Sequence, residues 1–203
     1  MINSCLFLCP DCAIILYVDD TILIAKDSQQ INSVIKQLEL DGFDLKDEGS
    51  LASYLGVQIE ETNDGSLNLS QPGLTERIIE ALGLSTSAAK DTPASHPIGR
   101  CANSPPATGK FNYRSVIGMM MYLGNNTRLD CSYAIHQCAQ FCLDPRTDHE
   151  KAVKRIGRYL KGTADKGLII KPTKSTAVDC YVDANFAGQW GFDPKEDPSC
   201  VCS

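Results

Sequence analysis

The chain has 203 residues, 43% hydrophobic and 22% charged, with 15 Gly, 10 Pro and a formal net charge of −6. That composition can bury a core and excludes a mostly disordered chain. No apolar run reaches the ~18 residues of a membrane span. Pro10 and Asp11 interrupt the apolar stretch Ile2–Val18, which carries no basic residue, so neither a secretory leader nor a membrane partner is expected, and the chain reads as intracellular, in cytoplasm or nucleus.

Ala13–Tyr17 and Thr21–Ala25 are short, β-branched apolar runs separated by Val18-Asp19-Asp20, the pattern of a hairpin. Asp27-Ser28 then offers an N-cap, Ile31, Val34, Ile35 and Leu38 recur at helical spacing, and Gly42 closes the helix. Phe43–Leu45 reads as a short strand. A second hairpin, Tyr54–Glu60 with Ser66–Ser70, is expected around Asn63-Asp64-Gly65, then a helix over Pro72–Leu82. Residues 83–110 lose all periodicity and are rich in Ser and Pro, which marks a linker or long irregular connection and the best domain boundary. Helices are expected over Tyr113–Asn125, Cys131–Leu143 and His149–Gly162, with strands at Gly167–Lys171 and Val178–Val182 beginning a new unit.

Ten cysteines in a chain of this length read as reduced thiols, several among apolar neighbours (Cys131, Cys138, Cys142, Cys180). Cys9 and Cys12 have the C-x2-C spacing of half a zinc site, but only Cys200 and Cys202 offer a second pair, so zinc is not expected. Charge is uneven. Residues 1–50 hold three Lys and Arg against nine Asp and Glu, whereas Arg146–Lys174 holds nine basic residues against three acidic ones. An acidic front suits cation binding and a basic rear suits phosphate.

Two adjacent carboxylates at the bend of an apolar hairpin, Asp19 and Asp20, resist burial unless paired or bound to metal, and a tight turn holds them rigidly enough for Mg²⁺. In two-metal phosphoryl transfer, such carboxylates hold the ions that activate the attacking oxygen and steady the leaving one. Pattern alone leaves open a plain solvated turn. His96, His136 and His149 have no metal spacing, and Ser, His and Asp form no nucleophile motif.

The segment Ile15–Ile24 resembles the Y-x-D-D hairpin of reverse transcriptases, and the residues after it resemble those of Ty1/copia-type retrotransposon polyproteins. The matching blocks are Tyr54–Ile59 (YLGVQI), Phe111–Leu123 with Asn126–Asp130 (NTRLD), His149–Thr163 ending in RYLKGT, and Tyr181–Gly188 (YVDANFAG). Ordered blocks at suitable spacing are far more specific than any single motif. The fold so implied is α+β: an incomplete reverse-transcriptase palm of antiparallel hairpins and helices over 1–82, a Pro/Ser-rich connection over 83–110, a helical thumb or connection over 111–166, and a truncated start of a ribonuclease H domain over 167–203.

The resemblance makes Asp19 and Asp20 the polymerase carboxylates and metal ligands, with Tyr17 near the primer end, and makes Asp183 the first metal carboxylate of the ribonuclease H unit. It implies Mg²⁺ (or Mn²⁺), an RNA–DNA template–primer duplex and deoxynucleoside triphosphates in the intact parent enzyme. Lys154, Arg155, Arg158 and Lys161 fall at helical spacings that suit phosphate tracking. In this family another palm Asp lies well upstream, and only 18 residues precede Asp19. The isolated chain is therefore expected to be inactive and to pair, if at all, with the missing N-terminal half of its polyprotein. Two other readings are a non-catalytic nucleic-acid-binding remnant using helix 149–162, and a phospho-acceptor receiver-like domain. The latter would need a helix directly after the acids and a doubly wound parallel sheet.

Overall fold

A computed structural model describes residues 5–101 and 103–171. The chain divides into two compact units, Met1–Leu55 and Gly56–Ser203.

The first unit is a three-stranded antiparallel sheet in the order β1 (Leu6–Leu8), β2 (Cys12–Tyr17), β3 (Asp20–Ala25), followed by helix α1 (Ser28–Leu40) and the short β4 (Ser53–Tyr54). β1 was not expected. It pairs Leu6 with Ile15 and Leu8 with Ala13 after a turn in which Cys9 N–H donates to Cys12 O at 2.8 Å. α1 begins where Asp27 Oδ1 accepts from Gln30 N–H at 2.9 Å. It ends in a Schellman motif: Gly42 at φ 95°, with Gly42 N–H on Glu39 O and Phe43 N–H on Leu38 O. Phe43–Leu45 forms no strand. Phe43 and Leu45 stay exposed and Asp44 divides them, so the segment has no edge to pair with and no face to bury. None of the described residues of this unit is buried.

β3 returns antiparallel immediately after the acids, and all the pairings described are antiparallel. A receiver-like doubly wound sheet is therefore excluded for the described residues, since it needs a helix at that point and parallel neighbours.

The second unit begins at Gly56 (φ 75°), and the left-handed backbone of Leu55 (φ 50°) and Gly56 interrupts the expected Tyr54–Glu60 strand. β5 (Val57–Glu61) and β6 (Leu67–Ser70) form the second hairpin, in which Asp64 Oδ1 accepts from Thr62 Oγ1 at 2.6 Å and Ser66 N–H at 3.2 Å while Gly65 takes φ 76°. β7 (Leu168–Ile170) pairs antiparallel with β6, so this strand completes the sheet of the second unit. Val178–Val182 lies outside the described residues.

Four helices, α2 (Pro72–Ala81), α3 (Tyr113–Asn126), α4 (Leu129–Ala139) and α5 (Thr147–Gly162), enclose the core. Ile78, Ile117, Met120, Leu123, Cys131, Ile135, Val153, Ile156 and Leu160 are buried there. Burial pushes the Cys131 and Cys138 thiols up to about 12, so they serve the core as small apolar groups. α2 closes in a second Schellman motif whose C-terminal Leu84 is buried with Leu82. Both leucines pack onto Gly157, whose missing side chain lets α5 approach.

The described residues of 83–110 form no helix or strand, yet they are fastened along α5, running largely opposite to it. Lys161 Nζ donates to Ser85 O and Ser87 O at 2.6 and 2.8 Å, and Lys90 N–H to Arg158 O. Arg155 Nη2 donates to Thr92 Oγ1 at 2.8 Å, and His149 Nε2–H to Gly99 O at 2.9 Å. Glu150 accepts from Thr108 Oγ1 and Gly109 N–H at 2.8 and 3.2 Å. The expected boundary at 83–110 is accordingly a docked strap, and the division between units falls at Leu55–Gly56 instead. Loss of periodicity excludes a ladder or helix, but it is silent on whether side chains elsewhere supply the missing partners.

Candidate catalytic turn and basic helix

In the first unit Tyr17 pairs with Asp20 across the β2–β3 ladder, leaving Val18 and Asp19 as a two-residue turn. Val18 has φ 54° and lies 79% exposed. A positive φ at the first central residue alone is the sign pattern of a II′ turn, where glycine is favoured and a β-branched side chain is strained by about 1–3 kcal/mol. Asp19 therefore stands at the tip and Asp20 opens β3, both exposed. Tyr17, 55% exposed, sits directly opposite Asp20. Beside them lies Tyr54, whose phenol oxygen is buried with no hydrogen-bond partner. Desolvation, then the negative charge of Asp20, push that phenol above its ordinary value.

The donor set suits a hard cation. Mg²⁺ is usually bound by one or two carboxylates, with waters and substrate phosphates completing its shell. Asp19 and Asp20 supply two, and no group of three or more His, Cys, Asp or Glu among the described residues could hold a metal. Asp183 lies outside the described residues.

The basic helix divides its labour. Lys161 spends its ammonium on three carbonyls, of Leu84, Ser85 and Ser87. Since a lysine has three donors, none remains for a phosphate, and this residue fastens the strap. Lys154 Nζ lies 5.7 Å from the Phe111 ring centroid. Arg155 holds Thr92 through one nitrogen, while its Nε and that of Arg158 are buried without partners.

Several motif residues turn out to hold the helices together. Arg128, 2% exposed, donates to both oxygens of Asp130 at 3.0 and 2.9 Å and to Thr163 O and Oγ1 at 2.9 and 2.7 Å. Tyr159 O–H donates to Asp130 Oδ2 at 2.7 Å. Burial opposes the ionised Asp130, but the Arg128 and Tyr159 hydrogen bonds outweigh it and hold its carboxyl below the usual range. His149 is fully buried, accepts from Arg146 N–H at Nδ1 (3.0 Å) and stacks on Phe141 at 4.0 Å. This network went unseen in the sequence, where its only trace was the Arg-x-Asp spacing at 128–130.

The described residues thus hold an antiparallel hairpin with paired acids at its bend and, as a separate unit, a helical body. The reverse transcriptase (RNA-dependent DNA polymerase) family profile matches residues 9–96. The chain is 34% identical over 179 residues to an uncharacterised mitochondrial protein of Arabidopsis thaliana, covering 86% of this chain and 72% of that protein. It is 31% identical to the retrovirus-related Pol polyprotein from transposon RE1 of the same plant, covering 86% of this chain and 12% of the polyprotein. To that from transposon TNT 1-94 of Nicotiana tabacum it is also 31% identical, over 86% of this chain and 14% of the relative. The chain belongs to the reverse-transcriptase family of Ty1/copia-type retrotransposon polyproteins. It spans only about an eighth of the RE1 and TNT 1-94 polyproteins. No solved structure matches it. Among the described residues no helix is long and apolar enough to cross a membrane.

Proposed function

We propose that Asp19 and Asp20 are the metal-holding carboxylates of an RNA-directed DNA polymerase, Asp19 the principal ligand, with Tyr17 beside the primer end. The observation that carries this reading is the two-residue turn that sets one acid at an exposed tip and the next opposite an exposed aromatic ring. A bound Mg²⁺ would supply charge stabilisation for the attacking and leaving oxygens. The chain itself contributes two fixed carboxylates and, through Lys154, Arg155 and Arg158 on α5, cations for template–primer phosphates, with deoxynucleoside triphosphates as the other partner.

A two-ion clamp needs more ligands than Asp19 and Asp20 provide, so the isolated chain is proposed to lack polymerase activity. The test has two arms. Mn²⁺ should broaden the amide signals of Val18–Thr21 selectively, and D19N/D20N should abolish the broadening. Primer extension with Mg²⁺ or Mn²⁺ should give no incorporation. Absence of selective broadening overturns the metal assignment, and robust incorporation overturns the inactivity.

A further inference from the structure

A cleft of about 530 Å³ opens in the second unit between residues 90–101 of the strap and helices α4 and α5. Its lining carries four cationic side chains, Lys90, Lys151, Arg155 and Arg158, against one carboxylate, Asp148. That carboxylate is already bound to Lys151 Nζ at 2.7 Å. In a chain of net charge −6 this is a local reversal of sign.

Three polar atoms of residues lining this cleft are buried without a partner: Nε of Arg155, Nε of Arg158 and Oε1 of Gln137. Leaving such an atom unsatisfied costs about 1–3 kcal/mol, more when the group is charged. Arg155 and Arg158 are three residues apart on one helix and so share a face. Two charged donors side by side ask for an anion with several acceptor oxygens. Gln137 Oε1 asks for a donor instead, which inorganic phosphate at neutral pH supplies poorly and a sugar hydroxyl or base amine supplies well. Tyr133, 59% exposed, contributes an aromatic face to the same lining.

We propose that this cleft binds a nucleoside phosphate, its phosphate on the Arg155–Arg158 edge and its sugar or base toward Gln137 and Tyr133. The ligand is either a free nucleotide or one unit of a strand. The proposal rests on the reading of α5 as the phosphate-facing helix and narrows that contact to one edge.

Calorimetric titration of the full chain separates these outcomes, using adenosine 5′-monophosphate, inorganic phosphate, adenosine and an RNA–DNA hybrid. The monophosphate should bind saturably, and both phosphate and adenosine at least about tenfold more weakly. Lys90 and Lys151 are exposed, so K90Q/K151Q should leave the fold intact and weaken the monophosphate about tenfold. Q137L should erase its advantage over inorganic phosphate. No saturable monophosphate binding, or binding unchanged in K90Q/K151Q, overturns the proposal. Hybrid retention that R155Q removes, without monophosphate binding, leaves the reading of α5 standing while the cleft proposal falls. Monophosphate binding without hybrid retention supports the cleft as a free-nucleotide site on α5 and overturns only the tracking of template–primer phosphates.

Discussion

Arg128 and Asp130 are joined fork to fork, Nε to Oδ1 at 3.0 Å and Nη2 to Oδ2 at 2.9 Å, and the same guanidinium reaches the C-terminal end of α5 at Thr163. The pair ties the start of α4 to the end of α5. Breaking a buried pair costs about 3–5 kcal/mol because the survivor keeps an uncompensated charge. Arg128 is buried but the Asp130 side chain is 40% exposed, so D130A should cost less, about 2–3 kcal/mol, in urea unfolding. A loss below ~1 kcal/mol would show that water replaces the carboxylate at no cost.

His149 makes stability depend on pH. Burial pushes its imidazole below the ordinary value, and Nδ1 accepts from a backbone N–H, which a protonated ring cannot do. The folded state therefore holds neutral His149 while the unfolded chain takes up a proton near pH 6.5. The contribution is complete above that pH and is lost as pH falls below it. The urea midpoint should drop between pH 7.5 and 5, and H149Q should flatten that dependence while lowering stability throughout. Asp148 and Glu150, both held below their ordinary values, add losses only under more acid conditions.

Two glycines in helices should respond oppositely to alanine. A Cβ on Gly157 would stand 2.5 Å from Leu82 Cδ1 and 2.8 Å from Leu84 Cδ1, both on buried side chains with little room to retreat. Overpacking of about 1–3 kcal/mol exceeds the ~1 kcal/mol gained in helix propensity, so G157A should destabilise. Gly118 is exposed and meets nothing within 4 Å, so G118A should stabilise by about 0.5–1 kcal/mol. Thermal unfolding of the two variants checks both signs.

The cations of α5 should separate in a salt titration. R155Q and K154Q should weaken retention on an RNA–DNA hybrid and each reduce the slope of log K against log salt by roughly one. K161M should leave that slope unchanged, because its donors hold the carbonyls of 84–87, and should instead lower stability by about 1–2 kcal/mol. Equal slope changes in all three variants would refute the division.

Amide exchange should differ between the units. The core lies between Ile78 and Leu160, while none of the described residues before Leu55 is buried. Amides of α3 and α5 should exchange with near-global protection and those of β1–β3 through local opening. Equal protection would contradict the burial pattern.

Much of this was written in local chemistry. Asp27 as a cap, Asn63-Asp64-Gly65 as a turn and the helical stripes of 113–162 each act over a few residues, so their letters suffice. The rest depends on partners distant in the chain. β1 exists because Ile15 is there to receive Leu6, and Phe43–Leu45 fails as a strand for want of such a neighbour. β7 joins β6 a hundred residues away. Lys161 looked like a phosphate ligand because spacing shows which side chains share a face, not which carbonyls stand opposite. The paired acids at the turn were legible for the reverse reason: a two-residue bend is complete in its own sequence.

The knot of Arg128, Asp130, Tyr159 and Thr163 means that letters of the family-like blocks can serve the frame alone. These four residues are rivets of the helical body, whereas the acids of the bend stay exposed and carry no such load.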